Sequence, residues 1–318
     1  MAIRLPTRGP FHLEATVRVL QRRPANRVDV WSDGCYRRVI DTGEGPLLAE
    51  VVDRGTVAAP DLRCTLHGPH SASARHTAAR ALRRVLGLDL DPVVLRRAAE
   101  REPAMRATAR ALCGLRPPRF GGLFEAFASV VPYQQVSIDA GIAVLGRTVE
   151  RFGDALVHEG ERYYAFPTPA AIVRARPRAL RACGLSAQKT RTLQMIARAI
   201  DSGALDEREL DRLSSEAAGA RLVALRGVGP WTAGLVLLRG LGRLDVFPPG
   251  DVGAARSLRA LLGTTSTAKI DATIERFGTL RGYLYFCALG GQLLTRGLIN
   301  PPRRGAKPVV KIRTYPRS

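Results

Sequence analysis

A chain of 318 residues, 46% of them hydrophobic, has a globular composition and room for two or three domains. Its formal net charge of +21 exceeds what solubility requires and points to a polyanionic partner, either nucleic acid or an acidic membrane surface. Arginine supplies nearly all of that charge. The lysines are Lys189, Lys269, Lys307 and Lys311. GC-rich codon usage accounts for the Arg/Lys ratio but not for the net charge. The cysteines, Cys35, Cys64, Cys113, Cys183 and Cys287, are scattered and form no C-x-x-C pair. That excludes the usual zinc and iron–sulfur spacings and suits a reducing compartment. The N-terminal M-A-I-R-L-P-T-R-G-P lacks a signal-peptide core, and no apolar run is long enough for a membrane span. The expectation is a cytoplasmic protein, associated with the nucleoid in a bacterium.

From about Phe11 to Gly68 the chain reads as strands and turns. Ala15–Leu20 and Leu62–His67 partly alternate, and Asp33-Gly34 and Asp41-Thr42-Gly43 are turn signals. The period changes at Ser73, where Ala78, Leu82, Val85 and Leu86 fall on one helical face. Short helices follow to Cys113, and Gly114-Leu115-Arg116-Pro117-Pro118-Arg119 marks a domain boundary. Beyond it nearly everything is helical. Leu123–Val131 is an apolar helix, split at Pro132 and resumed over Gln134–Phe152. Thr168 and Pro169 start another helix, and Ala187–Ser202 is amphipathic. The fold class is α+β. An antiparallel-sheet-plus-helix domain spans 1–114, an all-α core 115–300 and a basic, proline-bearing tail 301–318.

Two features in the core carry chemistry. Ser215–Leu225 is a helix with Ala218, Leu222 and Leu225 on its buried face. Gly227 ends it, Gly229 permits a tight turn and close approach, and Pro230 opens the helix Trp231–Gly240. This is helix–hairpin–helix. Its amides and the positive end of the second helix suit a DNA phosphate, although G-x-G alone also occurs in ordinary helical turns. The second feature is Asp251, placed at a helix N-cap by Phe247-Pro248-Pro249-Gly250. Such an aspartate is either a plain cap or a fixed anion able to stabilise positive charge on a sugar and to orient water.

Together, L-R-G-V-G-P-W-T-A and G-L-G-R-L-D-V-F-P-P-G-D resemble the signature of the helix–hairpin–helix (HhH-GPD) DNA glycosylase superfamily. The segments S-V-V-P-Y-Q-Q-V-S, R-Y-Y-A-F-P-T-P and R-A-C-G-L-S-A-Q-K follow the same order, as does C-G-L-R-P-P-R-F at the boundary. The resemblance covers about Leu115 to Leu298. The N-terminal segment, by order and size, resembles the 3-methyladenine DNA glycosylase II branch.

The resemblance implies two helical subdomains with the active-site cleft between them. It implies a base-excision repair enzyme that flips alkylated purines of the 3-methyladenine and 7-methylguanine type out of damaged double-stranded DNA and hydrolyses them off, leaving an abasic site. Asp251 is the catalytic residue it implies. Trp231, Leu235 and Tyr133 line the base pocket, and Gln135 with Gln134 forms the wedge that fills the vacated stack. Gly227, Val228 and Gly229 form the phosphate-binding hairpin. Trp231 stands where glycosylase–lyases carry a Schiff-base lysine, so the expected enzyme is monofunctional, without lyase activity. No cofactor is expected beyond a monovalent cation, Na⁺ or K⁺, on the backbone carbonyls of Val223, Leu225 and Val228. The expected state is a monomer that binds no membrane. Leu235 replaces an aromatic common in the branch, and Cys287-Ala288-Leu289-Gly290-Gly291 replaces a C-terminal aromatic pair. Two alternatives therefore stay open: a glycosylase for an oxidised or deaminated base, and an inactive helix–hairpin–helix DNA-binding protein. His67 and His70, in T-L-H-G-P-H, read as loop histidines lacking acidic or thiol partners for a metal. Asp245 reads as a structural cap of the turn before Val246-Phe247.

Overall fold

The computed structural model describes residues 1–301, so nearly all of the expected tail at 301–318 lies outside the described residues. The N-terminal strands form one antiparallel sheet. In chain order they are β1 (Ala2–Leu5), β2 (Val30–Ser32), β3 (Cys35–Asp41), β4 (Pro46–Asp53) and β5 (Leu62–His67). In space the order is β1-β5-β4-β3-β2. Asp33 and Gly34 join β2 to β3 with φ of 51° and 73°, the left-handed pair that a two-residue hairpin needs.

Ala15–Leu20, expected as a strand, lies instead in the helix Leu13–Gln21. His12 Nδ1 caps it by accepting the Ala15 amide at 3.3 Å. The helix has a narrow polar stripe, Glu14, Arg18 and Gln21, and is buried on its other sides, where its valines imitate a strand.

Alternation along β4 divides the two faces of the sheet. Leu47, Ala49 and Val51 join the main core with Val17 and Leu20 of the first helix and Ala78 and Leu82 of the helix Ala72–Val85. On the other face Leu48 and Val39 pack with Ala165, Leu156 and Tyr163. Those partners belong to a second hairpin, β6 (Ala155–His158) and β7 (Glu161–Tyr164), and to the residue after it. The sequence reading did not anticipate these strands, because each has only four residues and weak alternation.

The boundary segment has no regular structure, yet it is not a loose linker. Leu115 to Pro118 are buried. Arg116 is 0% exposed and donates to the Leu88 carbonyl at 2.7 Å and to the Arg8 carbonyl. Burial pushes its guanidinium down to about 10.

In the helical part, Leu123–Val130 passes into a 3-10 turn, Val131–Tyr133, at Pro132. The next helix starts at Ile138, not at Gln134 as expected. Ser137 is the reason: its hydroxyl accepts the Ala140 amide at 3.2 Å and fixes the N-cap there. Thr168 and Pro169 open the helix Pro169–Arg174 as read from the sequence.

One buried ionic group ties the sheet to the helical core. Arg38 on β3, 4% exposed, donates to Asp29 at 2.7 Å and to Glu125 on the helix Leu123–Val130. The Tyr36 hydroxyl donates to Asp29 at 2.8 Å. Among the described residues no helix is long and apolar enough to cross a membrane.

Candidate active site

The hairpin joins the helices Ser215–Val223 and Pro230–Leu235. Gly227 has φ +85°, and a β-carbon there would collide with Thr192, so glycine is required twice over. Gly229 differs. Its φ of −94° suits any residue, and a β-carbon would meet nothing within 4 Å. The turn is closed by the Val228 amide on the Leu225 carbonyl at 3.0 Å.

The second helix does not run on to Gly240 as an α-helix. It widens into a π-helix over Val236–Leu241 that stops at Gly242, with φ +77°. The wider turn leaves carbonyls without i+4 partners. The Phe120 amide takes the Arg239 carbonyl at 2.7 Å, and Arg84 and Arg119 take that of Gly240 at 2.7 and 3.0 Å.

The loop after it delivers Asp251. Gly234 lets the prolines lie against the hairpin helix: a β-carbon there would sit 2.8 Å from Pro249 Cδ and 3.0 Å from Pro248 Cα. Asp251 is the N-cap of the helix Val252–Leu262. Its Oδ1 accepts the Ala254 amide at 2.8 Å, and its Oδ2 accepts the indole N–H of Trp231 at 3.0 Å. Each oxygen therefore has a fixed donor, which sets the plane of the carboxylate. Asp245, read as a cap, is exposed, and its turn is closed by the Val246 amide on the Arg243 carbonyl at 3.2 Å.

Asp251 and Trp231 line a cavity of about 710 Å³, together with Leu235, Tyr133, Gln134, Gln135, Gly227 and Gly229. Val228 is buried and Val223 is 41% exposed, and neither lines this cavity.

The Gln134 amide donates to the Gly227 carbonyl and to Thr232 Oγ1, both at 3.0 Å, and so braces the hairpin. Of the two glutamines Gln135 is the exposed one, held at φ +56°. Trp231 has its indole edge committed to Asp251, a role that a reading based on its ring face does not contain.

Several lining residues were not legible in the sequence. Asp29, Glu125 and Tyr285 come from three remote segments. Arg239 is 3% exposed, lies 4.6 Å from the Phe120 ring centroid and has an unpartnered Nε. Burial lowers its pKa. Its signal was present: one arginine inside the apolar run V-L-L-R-G-L. Lys189 also lines the cavity, with its ammonium on the Pro132 carbonyl at 3.0 Å.

A five-stranded sheet with helices, then a helical core whose hairpin and following aspartate meet at one cavity, defines a helix–hairpin–helix base-excision protein. Family models agree. Residues 128–279 match the HhH-GPD superfamily base excision DNA repair protein, and residues 2–121 match the AlkA N-terminal domain. The chain belongs to this superfamily, in its 3-methyladenine glycosylase branch. It is 30% identical to DNA-3-methyladenine glycosylase 2 of Escherichia coli K12, over 86% of this chain and 92% of that one. It is 32% identical to a DNA-3-methyladenine glycosylase of Bacillus subtilis 168, over 59% of this chain. There the match spans 62% of the relative's length. The 3-methyladenine DNA-glycosylase from Archaeoglobus fulgidus superposes with a TM-score of 0.75 at 27% identity, covering 93% of this chain and 99% of that one.

Proposed function

We propose that this chain is a monofunctional DNA glycosylase that releases alkylated purines from duplex DNA. One observation carries the reading: Asp251, with both oxygens held by fixed donors, stands at a cavity beside an open glycine hairpin. The open space at Gly229 suits the close approach of a phosphate to the hairpin amides. The damaged nucleotide rotates into the cavity, and Gln135 occupies the gap it leaves. As the N-glycosidic bond lengthens, the sugar gains oxocarbenium character, as in glycoside hydrolysis. The Asp251 carboxylate stabilises that charge and orients the attacking water. The products are the free base and an intact abasic strand.

The carbonyls of Val223, Leu225 and Val228 are neutral hard donors, and they suit Na⁺ or K⁺ rather than a thiophilic metal. An ion there would add positive charge to the face that meets phosphate.

The test is release of free base from methylated duplex DNA by wild type and Asp251→Asn. The variant should lose about 10²–10³-fold or more in rate while keeping DNA affinity, because Asn retains the shape and the cap. Strand breaks should follow only after alkali. Borohydride trapping of a covalent complex, with Lys189 the first suspect, would overturn the monofunctional reading. Near-normal turnover by Asp251→Asn would remove the mechanism.

Arg239 favours a second reading. A buried cation in the cavity lining suits a neutral, oxygen-bearing base, such as a deaminated purine, and opposes one that is itself cationic. A lesion panel with Arg239→Met separates the two. Activity on neutral, oxygen-bearing bases that falls in Arg239→Met supports the second reading. Unchanged or improved release of methylated bases supports the first.

A further inference from the structure

Of the five histidines in the chain, two that lie far apart in sequence meet outside the active site. His67 ends β5, and His158 ends β6 on the opposite hairpin; their ring centroids are 4.0 Å apart. Glu50 of β4 lies between them. Its Oε2 is 2.9 Å from His67 Nε2 and 3.9 Å from His158 Nε2. One ligand atom from each residue falls within 4.8 Å of the others. The sequence reading of His67 as a histidine without an acidic partner is thereby corrected. The partner arrives through the β4–β5 register, which brings Glu50 and His67 to one face.

We infer that Glu50, His67 and His158 form a binding site for a divalent first-row cation of the zinc type, clasping the β6–β7 hairpin to the N-terminal sheet.

The donor set is two imidazoles and one carboxylate, the hard-to-borderline mixture that zinc takes. Zinc bound tetrahedrally at about 2.0–2.1 Å separates its ligand atoms by roughly 3.3 Å. The observed 2.9 and 3.9 Å bracket that spacing, so small rotations suffice. The side chains are 18 to 29% exposed, which leaves an entry path without a fully wet site. Arg37 Nε donates to the other Glu50 oxygen, Oε1, at 2.6 Å and is itself held by Ser32 at 2.7 Å from its Nη1. That contact orients the carboxylate and leaves Oε2 for the cation. Arg37 also brings a like charge, which a second carboxylate offsets. That carboxylate is the largely exposed Glu159, whose Oε1 is 3.9 Å from His158 Nε2, and water takes the fourth position on the cation.

The site is structural. None of its residues lines the cavity around Asp251. What it joins is the seam where Leu156 and Tyr163 cover Leu48 and Val39.

The experiment is a titration of the full chain, stripped with chelator, with zinc alone, followed by calorimetry and thermal melting. One equivalent should bind and raise the melting temperature. His67→Ala, His158→Ala and Glu50→Gln should each lose about tenfold or more in affinity, whereas His70→Ala and His76→Ala should lose none. His158 lies on an edge hairpin, and a melt of His158→Gln without metal checks that the fold is retained. Absence of binding overturns the inference, as does binding with unchanged affinity in folded His158→Gln, because the zinc would then sit on cysteines or other histidines.

Discussion

In the proposed active site, the pairing of Trp231 with Asp251 gives the tryptophan a positioning role as well as a place in the cavity wall. Its contribution is separable by chemistry. Trp231→Phe keeps an aromatic face but removes the N–H together with part of the indole ring. A hydrogen bond to a charged group contributes about 1.5–3 kcal/mol, so kcat for base release should fall roughly 10- to 100-fold with DNA affinity unchanged. If the ring acts by stacking alone, Phe should keep most of the activity. Single-turnover rates of the two proteins on one duplex decide the point. At this scale the sequence was a good guide to identity and a poor guide to role. Asp251, Trp231, Leu235, Tyr133, Gln135 and the glycines, which the family resemblance had named, gather at or beside one cavity. The bracing contact of Gln134 with Gly227 and Thr232 spans more than ninety positions of sequence and leaves no local trace.

Among elements, the loop Phe247–Gly250 sets where the carboxylate stands, and it rests on the missing side chain of Gly234. Gly234→Ala should push the prolines outward. Overpacking of this kind costs about 1–3 kcal/mol, a modest loss on a chain of this size. The kinetic loss should be larger, because a displacement near 1 Å at a reacting group costs about 10²-fold. A melting curve and a base-release rate on the same preparation test this. Equal, small losses in both would mean that the loop yields without moving Asp251. The hairpin helix and its cap were legible in R-G-V-G-P-W, since Gly and Pro have positional meanings there. The π-helix was not, because its freed carbonyls are satisfied by Arg84, Arg119 and Phe120 from other parts of the chain.

For the whole molecule, the sheet and the helical core are joined by a buried cation rather than by apolar contact alone. Arg38→Leu would leave Asp29 and Glu125 buried without their common partner. Breaking such a group costs about 3–5 kcal/mol, measurable by chemical denaturation at neutral pH. Burial already raises the Glu125 carboxyl, with Arg38 opposing that rise. In the variant the rise should grow. A carboxyl raised above its unfolded value favours folding below that value and loses the benefit as pH climbs through the folded one. The deficit of Arg38→Leu should therefore shrink as pH falls toward about 4. A deficit independent of pH would show that the loss comes from packing.

The sequence by itself determined the α+β order, the hairpin, the helix caps and the place of Asp251 at one of them. These depend on period, on backbone restrictions of Gly and Pro, and on short-range capping, all of which act within a few residues. Tertiary structure alone decided that Ala15–Leu20 is helical, that Trp231 holds Asp251, that Arg239 and Glu125 share the cavity, and that His158 meets His67 across a sheet face. The physical reason is common to all four. Each depends on burial or on a contact between distant segments, and free energy of that kind is set by which surfaces the folded chain brings together, not by which residues are neighbours along it.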